Sequence, residues 1–396
     1  MAVERNDGAV KQLTGVDYRT GQAIQVAWVN GRIDRVQEVR EIAARHELPV
    51  LAPGFVDLQI NGFHGVDFNT PPIKSAAVRE ATRKLWAEGV TTYYPTVITN
   101  DPQTMEEMVR SIAQACGEDA LTAASIAGIH VEGPFISPQD GPRGAHSRQF
   151  VIPPDFALFE RWQEAAGGLI KLITLSPEWE GAPAFIEACV RSGVKVSIGH
   201  TAASTEQIEA AVHAGASLST HLGNGAHQML PRHPNYIWDQ LANEGLAASV
   251  IADGFHLPAA VLKVMLRTKG KQLFLVSDAV YLSGLEPGEY ETHIGGKVVL
   301  TEEGRLHLAA DARLLAGSAQ MLGKGIEYLV RSGVADLQQA WEMASILPAS
   351  FMGLPAAQGL SPGAPADLVA LDWTNKAGGS MQIKEVYKQG IQVYAG

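Results

Sequence analysis

The chain has 396 residues and a net charge of −11, from 31 Lys and Arg against 42 Asp and Glu; this acidic balance argues against a protein that binds nucleic acid through its phosphates. Hydrophobic residues make up 46% and charged residues 18%, which allows a large core and argues against disorder. The two cysteines, Cys116 and Cys189, exclude a disulfide scaffold and a cysteine-based zinc finger.

The sequence gives no sign of export or of membrane insertion. No apolar run reaches the roughly 18 residues of a membrane-spanning helix. Residues 1–7 are polar and acidic and lack the charged-then-apolar order of a signal peptide. We therefore expect a soluble cytoplasmic protein with no membrane partner.

Both ends of the chain consist of short β-prone segments separated by turns. The segments are 23–29 and 32–36 near the start, around the hairpin-type turn Asn30-Gly31, and 366–372, 383–390 and 391–394 near the end. Neither end is long enough to bury a core alone. We predict that residues 1–51 and 366–396 together form a small β-sandwich domain.

Between these ends, eight short apolar runs alternate with helical segments. The runs are 54–60, 90–97, 126–132, 169–175, 195–200, 217–221, 248–253 and 273–278, and the helical segments include 75–88, 104–116, 182–192 and 205–214. Alternation of this kind predicts parallel strands, and eight units predict a (β/α)8 TIM-type barrel over residues 52–365. The alternative is an open doubly wound sheet, but no G-x-G-x-x-G follows the first run to support a dinucleotide fold.

Five of the runs end on an acid or a histidine. These residues are Glu132, His200, His221, Asp253 and Asp278. In a barrel, the carboxyl ends of the strands meet at one mouth, where catalytic groups lie. Period-two alternation also places His130 on the same face as Glu132, which points both side chains into the barrel. We expect these groups to converge.

Glu132, His200 and His221 fit the three-ligand pattern of a catalytic zinc site with an open fourth position. Iron, cobalt and manganese also suit these ligand types, so the residues predict one divalent metal ion, with zinc as the first choice. The simpler alternatives are a salt bridge for Glu132 and structural roles for the two histidines.

Asp278 follows the last run and is the candidate for proton transfer. A cation lowers the pKa of the water beside it. A neighbouring carboxylate can take the proton of that water and later give it to a leaving group. The alternative is that Asp278 caps the N-terminus of the next helix.

Further candidates lie on the loops that follow the strands. His146 and His256 come after the third and seventh runs and would polarise a carbonyl or hold substrate hydroxyls. Arg232 follows the sixth run, where it either grips an anion or is solvated. The roles of three further histidines stay open; they are His64, His227 and His233.

Eight short segments, taken as a set, carry a resemblance to a known family. They are Ala52-Pro-Gly-Phe-Val-Asp57, His130-Val-Glu-Gly-Pro134, Gly144-Ala-His146, Gly199-His-Thr201, Thr220-His-Leu-Gly-Asn224, Ala252-Asp-Gly-Phe-His256, Ser277-Asp-Ala279 and Leu315-Ala-Gly-Ser318. In this order they resemble the N-acetylglucosamine-6-phosphate deacetylase family of the amidohydrolase superfamily. The resemblance implies a metal-dependent barrel with a small β-sandwich, a homodimer, and hydrolysis of the acetamide to acetate and glucosamine 6-phosphate.

The resemblance also implies roles for the residues that match the family's motifs. Glu132, His200 and His221 match the metal ligands, and Asp278 matches the general base and acid. His146 is expected to help polarise the acetyl carbonyl, and Arg232 to reach the substrate of the neighbouring subunit. The implied substrate-binding residues are Ala145, His146, Asn224, Gly225, Arg232, His256, Leu315, Ala316 and Gly317.

Two departures from the family pattern bear on the site. Many amidohydrolases carry His-x-His on the first strand for a second metal, but this chain has Gln59-Ile-Asn61, which favours one metal. In the loop after strand six, Gly223 replaces an aromatic residue before Asn224, and Gly225 follows. The smaller side chains predict a wider pocket there. Two alternatives stay open: a deacetylase of an unphosphorylated or larger N-acyl amino sugar, and a non-catalytic barrel that senses a sugar.

Overall fold

Four strands open the described part of the chain; the computed structural model describes residues 8–40, 47–292, 296–374 and 379–396. They are β1 (Lys11–Asp17), β2 (Ala23–Val29), β3 (Arg32–Glu38) and β4 (Val50–Pro53). β2 and β3 form the predicted hairpin, and the φ angles of 50° at Asn30 and 76° at Gly31 suit a type I′ turn. The expectation about residues 1–7 lies outside the described residues.

Parallel strands form the central sheet, as the alternating pattern predicts. Within the described residues there are eight such strands: β5 (Phe55–Ile60), β8 (Val90–Ile98), β9 (Ile129–Glu132), β10 (Ile170–Leu175), β11 (Lys195–Ile198), β12 (Leu218–Ser219), β13 (Ala247–Val250) and β14 (Leu273–Leu275). Between β5 and β8, the strands β6 (Gly62–Phe63) and β7 (Val66–Asp67) form a small separate hairpin. Neighbours in the sheet follow chain order from β5 and β8 to β14. This is the strand order of a (β/α)8 barrel.

Backbone hydrogen bonds bring the first and last strands of this sheet together. The amide of Asp278 donates to the carbonyl of Gln59 at 2.9 Å, and the amide of Asn61 donates to the carbonyl of Ala279 at 2.8 Å. Ile60 and Ala279 form an isolated parallel bridge. The predicted barrel is confirmed as a near-closed sheet, and its closure places Asp278 beside the end of β5.

Helices alternate with the barrel strands and cover the outside of the sheet. In the described ranges they are α1 (Ser75–Ala87), α2 (Pro102–Glu118), α3 (Ala120–Ser125), α4 (Phe156–Ala165), α5 (Ala182–Arg191), α6 (Thr205–His213), α7 (Tyr236–Ala242), α8 (Ala259–Lys269), α9 (Leu322–Arg331), α10 (Leu337–Met343) and α11 (Ile346–Met352). Their starts follow ordinary capping chemistry: Asp101 accepts backbone hydrogen bonds at the start of α2, and Ser204 and Gln207 form a capping box at α6. None of the helices described is long and apolar enough to cross a membrane.

The sequence analysis does not predict the three-stranded antiparallel sheet that follows β14. Its strands are β15 (Gly288–Thr292), β16 (Gly296–Leu300) and β17 (Leu306–Leu308). It buries its own small cluster, with Leu282, Val298, Leu300 and Leu306 each at most 4% exposed. Bridges from His307 to Leu315 and from Ser318 to Ala279 tie this insert to the end of β14.

Three C-terminal strands complete the sheet that β1–β4 begin. They are β18 (Leu368–Thr374), β19 (Ser380–Lys388) and β20 (Ile391–Ala395), and β18 runs antiparallel to β4. The described strands form a seven-stranded mixed sheet in the order β20-β19-β18-β4-β1-β2-β3. The joint β-structure of the two termini is thereby confirmed, while the boundaries at 51/52 and 365/366 stay a prediction.

Candidate metal centre and active site

The three predicted metal ligands meet at the mouth of the barrel. Oε1 of Glu132 lies 3.2 Å from Nε2 of His200 and 3.0 Å from Nε2 of His221. The two Nε2 atoms lie 3.1 Å apart, and all three side chains are buried. Glu132 ends β9, and the two histidines stand two residues beyond β11 and β12. The described part of the chain holds this one group of acidic, histidine or cysteine side chains in a metal-binding arrangement.

The donor set of this trio fits a divalent cation. Nδ1 of His200 donates to the carbonyl of Pro142 at 2.8 Å, so Nε2 is the ring atom left to bind a cation. Ligands bound tetrahedrally at about 2.1 Å lie roughly 3.4 Å apart, close to the spacing of these three atoms. Lone pairs from two rings and a carboxylate repel at such distances unless a proton or a cation lies among them, so the arrangement suits a metal.

The carboxylate and the imidazole rings of the trio strongly affect one another's pKa. Burial raises the pKa of Glu132, but its hydrogen bonds with His200 and His221 outweigh burial and hold that pKa well below the usual range. Burial lowers the pKa of His221, but the same carboxylate outweighs burial and raises it overall. The carboxylate of Glu132 is therefore ionised and available as a ligand.

Three site residues take a left-handed backbone conformation. The φ angles are 50° at His200, 30° at His221 and 49° at Asp278. Such a conformation costs a non-glycine residue on the order of 1 kcal/mol. The positive φ angles therefore lie at the residues to which we assign chemistry.

Asp278 lies partly buried beside this trio and is held by Asn61. Nδ2 of Asn61 donates to Oδ1 of Asp278 at 2.7 Å. Burial, and then the charge of Glu132, raise the pKa of Asp278 to about 6. Among the described residues, no helix begins directly after Asp278, so the alternative of a helix cap is wrong. A carboxylate with this pKa is suited to general base and acid catalysis.

Three further polar side chains on β5 and the loop after it bond site residues or the backbone next to them, and the sequence analysis assigns them no hydrogen-bonding role. Nε2 of Gln59 donates to Oε1 of Glu132 at 2.9 Å, while Asn61 holds Asp278. Asp57 accepts the backbone amide of Ser277 at 3.2 Å, and burial raises the pKa of Asp57 to about 7. Residues 57, 59 and 61 share a period of two, so the alternation that pairs His130 with Glu132 also indicates them.

The two loop histidines predicted to contact substrate lie close to the ligands. His146 is buried, its ring centre is 4.4 Å from that of His200, and its Nδ1 bonds the hydroxyl of Thr99 at 2.7 Å. Burial, and then the charge of His200, lower the pKa of His146 to about 3, so its ring is neutral. Nδ1 of His256 donates to Oδ2 of Asp253 at 2.6 Å, which fixes that ring and accounts for the acid at the end of the seventh run.

The loop after β12 approaches the site through glycine. Nδ2 of Asn224 donates to the carbonyl of His221 at 3.2 Å. A Cβ at Gly225, where φ is +55°, would lie 2.6 Å from Nδ1 of His200. At Gly225 the predicted widening of the pocket is therefore wrong, because the missing side chain instead lets the loop backbone lie against the ring of His200.

The remaining predicted substrate-binding residues lie on the segments around the mouth. Ala145 precedes His146 on the loop after β9. Residues 315–317 lead into Ser318, which pairs with Ala279 next to Asp278. Arg232 is exposed, on a loop that Asn235 braces by donating to the carbonyl of Pro231 at 2.9 Å.

The three histidines whose roles are open take different places. His64 is exposed in the turn between β6 and β7, and its carbonyl accepts from Lys84 at 3.3 Å. His227 bonds the hydroxyl of Tyr236 at 3.0 Å through Nδ1. His233 is exposed on the loop that carries Arg232. None of these contacts joins the trio.

Comparison with known proteins places this site in a family. The model of the amidohydrolase family matches residues 50–393. The N-acetylglucosamine-6-phosphate deacetylase of Bacillus subtilis is 35% identical over 288 residues, covering 71% of this chain and 69% of its own. The human protein of the same name is 32% identical over 355 residues, covering 87% of this chain and 83% of its own.

Solved structures support the same family assignment. N-acetyl-D-glucosamine-6-phosphate deacetylase from Mycobacterium smegmatis, solved as a mutant in complex with N-acetyl-D-glucosamine-6-phosphate, superposes with a TM-score of 0.83 at 28% identity, covering 98% of this chain and 100% of that one. The protein of the same name from Thermotoga maritima gives 0.81 at 25% identity, with the same coverage. From the extent of these matches, the chain belongs to the amidohydrolase family and, within it, to the N-acetylglucosamine-6-phosphate deacetylases.

Proposed function

We propose that the chain hydrolyses the acetamide of N-acetylglucosamine 6-phosphate to acetate and glucosamine 6-phosphate. The observation that carries the proposal is the convergence of buried Glu132, His200 and His221 beside Asp278, at the mouth of a barrel of this family. The mouth of a TIM-type barrel is where catalytic residues collect. A sugar-sensing barrel has no use for an acid with a raised pKa next to a ligand set.

We propose one divalent cation in this site, with zinc as the first choice and iron, cobalt or manganese as alternatives. Oε1 of Glu132 and Nε2 of His200 and His221 would hold it. The amide groups of Gln59 and Asn61 both turn their N–H donors toward carboxylates. Donors in these two positions favour a single cation, since an N–H group offers no lone pair to a second one.

The chemistry needs activation of a carbonyl and of a water, followed by two proton transfers. Glu132, His200 and His221 would hold a cation that would supply Lewis-acid activation of the acetamide oxygen and would increase the acidity of the attacking water. Asp278 takes a proton from that water as its oxygen bonds to the acetyl carbon. Asp278 then gives the proton to the nitrogen as the C–N bond breaks, so acetate and the free amine leave.

The other residues at the mouth hold the substrate. The neutral ring of His146 would donate to the acetyl oxygen as negative charge develops on it. His256, fixed by Asp253, orients the sugar. Backbone and polar groups of the surrounding loops complete the site. They belong to Ala145, Asn224, Gly225, Leu315, Ala316 and Gly317.

The substrate is tested by comparing acetate release from N-acetylglucosamine with and without the 6-phosphate. We expect kcat/KM to be about 100-fold or more higher with the phosphate, because a site built for a charged group discriminates against an analogue that lacks it. Equal kcat/KM values would instead favour an unphosphorylated or larger N-acyl amino sugar. Sugar binding without acetate release from any member of an N-acetyl sugar panel would favour a sensor.

We also propose that the protein works as a cytoplasmic homodimer in which Arg232 binds the phosphate in the neighbouring subunit. Two free cysteines suit a reducing compartment. Met229 is 90% exposed and Trp238 is 52% exposed on either side of Arg232 in the chain. Large apolar side chains in such positions are typical of an interface with another chain.

Replacing Arg232 by Ala should raise KM for the phosphorylated sugar by about 10- to 100-fold with little change in kcat, because it removes a charge-assisted contact remote from the reacting bond. Arg191→Ala is the control, since Arg191 is exposed on α5 and pairs with Glu187. KM should not change in that variant.

Mixing two variants tests whether Arg232 acts between subunits. A hybrid dimer of an Arg232→Ala chain and an Asp278→Asn chain should contain one complete site if the arginine acts on its neighbour, and should recover activity. No recovery from hybrids isolated as dimers would show that Arg232 acts within its own chain, and sedimentation as a monomer would contradict the dimer itself.

A further inference from the structure

A buried row of hydrogen-bonded side chains crosses the barrel interior below the metal-ligand trio. Nε2 of His130 bonds the hydroxyl of Thr174 at 2.7 Å, and that hydroxyl bonds the hydroxyl of Thr220 at 2.7 Å. Thr220 also bonds the hydroxyl of Ser197, at 2.5 Å. None of the four residues is more than 3% exposed. The mechanism proposed above uses none of them.

The hydrogen bonds of this row all run in one direction, from Ser197 through Thr220 and Thr174 to His130 and the carbonyl of Leu58. Nδ1 of His130 lies 3.1 Å from the carbonyl of Leu58 on β5, and it must donate because a carbonyl only accepts. With its proton on Nδ1, the ring accepts from the hydroxyl of Thr174 through Nε2. The oxygen of Thr174 then accepts from Thr220, and that of Thr220 from Ser197. Every hydroxyl proton is used, so the row has one arrangement of donors.

Each member of the row is tied to a strand that carries a metal ligand. His130 stands two residues before Glu132 on β9, and Ser197 stands three residues before His200. Thr220 directly precedes His221. Thr174, on β10 between these strands, pairs in register with Glu132 on one side and with Ser197 on the other.

The two threonines also pack against the backbone that leads into His200. A Cβ added at Gly199 would lie 2.7 Å from Cγ2 of Thr174 and 2.8 Å from Cβ of Thr220. The row is therefore hydrogen-bonded across neighbouring strands and packed against Gly199, the residue before the ligand His200. Both threonines therefore contact the backbone that leads into His200.

We propose that Thr174 and Thr220 are positioning residues that fix the spacing of the strands bearing Glu132, His200 and His221, so that these ligands are preorganised before a cation binds. Groups that orient ligands often affect metal affinity nearly as much as the ligands themselves. The inference rests on the proposed metal centre and goes beyond it, because it assigns a function to hydroxyls that touch neither cation nor substrate.

The test is the affinity of the full-length metal-free chain for Zn²⁺, measured by competition with a chelating dye. Thr174→Val keeps the shape of the side chain but removes both hydroxyl hydrogen bonds, and it should weaken Zn²⁺ binding by about tenfold. Thr174→Ser restores the hydroxyl and should bring the affinity back close to the wild-type value. No turnover is needed for this measurement.

Thr82→Val is the matched control. Thr82 is fully buried on α1, and its hydroxyl also makes two hydrogen bonds, to the carbonyl of Val78 at 2.9 Å and to the hydroxyl of Tyr93 at 2.8 Å. It should lower the thermal stability of the metal-free chain without changing the Zn²⁺ affinity. The same stability measurement on Thr174→Val separates a folding defect from a loss of preorganisation.

The outcomes distinguish this inference from the metal centre on which it rests. Wild-type chain that binds neither Zn²⁺ nor Fe²⁺, Co²⁺ or Mn²⁺ would overturn both. Tight binding by wild type and equally tight binding by Thr174→Val would overturn the positioning role alone. Equal weakening by Thr174→Val and Thr82→Val would also overturn it, because the effect would then follow general destabilisation.

Discussion

Replacing Asp278 by Asn should lower kcat by about 100- to 10,000-fold, the range expected for loss of a general base and acid. Asn has nearly the same shape as Asp, and its carbonyl oxygen can still accept the hydrogen bond from Asn61. The site should therefore keep its geometry and its metal while losing the group that moves the proton. Acetate release and metal content, measured on the same preparation, check both halves of the prediction.

Asp336→Asn is the control, because Asp336 caps the start of α10. Its kcat should match that of wild type. Turnover by Asp278→Asn within a few-fold of wild type would remove Asp278 from the mechanism. Loss of the metal together with activity would instead assign this carboxylate to metal binding.

The pH profile gives an independent signature of the same carboxylate. Asp278 acts as a base when ionised, and burial together with Glu132 raises its pKa to about 6. Activity should therefore fall as the pH drops through this pKa, and a bound cation moves the acid limb lower because its charge favours the ionised form. In Asp278→Asn, the residual activity should no longer show this limb.

Removing a ligand of the trio should lower activity at least as much as Asp278→Asn does. His200→Ala or His221→Ala removes one of three ligands, and we expect the bound metal to be lost and kcat/KM to fall by about 1,000-fold or more, since the cation provides the activation of both carbonyl and water. A strong chelator should do the same to wild type. Adding back a divalent metal should restore activity to the chelated wild type and not to the variants.

His213→Ala is the matched control for these variants, because His213 is exposed at the end of α6. Metal content and activity should stay at the wild-type level. Full activity of metal-stripped wild type, verified by elemental analysis, would contradict a metal-dependent mechanism.

Much of the barrel can be predicted because its strands are short, apolar and end on residues unlike their interiors. Glu132, His200 and His221 stand at or just beyond strand ends, so local pattern alone indicates that they meet at one mouth. Alternation of period two also indicates that His130 points inward. The contact of its ring with Thr174 depends on the register of two strands, which the local pattern does not give.

Other features depend on contacts between distant segments. The approach of Gly225 to His200 brings together loops that follow different strands, so the glycine is misread as extra space when the loop is considered alone. The insert β15–β17 consists of short strands that bury a small hydrophobic cluster of their own. Its hydrophobic alternation is weak and lies beyond the last barrel strand. The amides of Gln59 and Asn61 are recognised as departures from a metal motif, but their carboxylate partners emerge from the fold.

The central claim concerns the position of one cation. X-ray diffraction at the absorption edge of the metal found in the purified protein tests it directly, because anomalous scattering locates that element. A single strong peak about 2 Å from Oε1 of Glu132 and from Nε2 of His200 and His221 is the predicted result. A catalytically active crystal with no peak there, or with its metal bound elsewhere, would contradict the account.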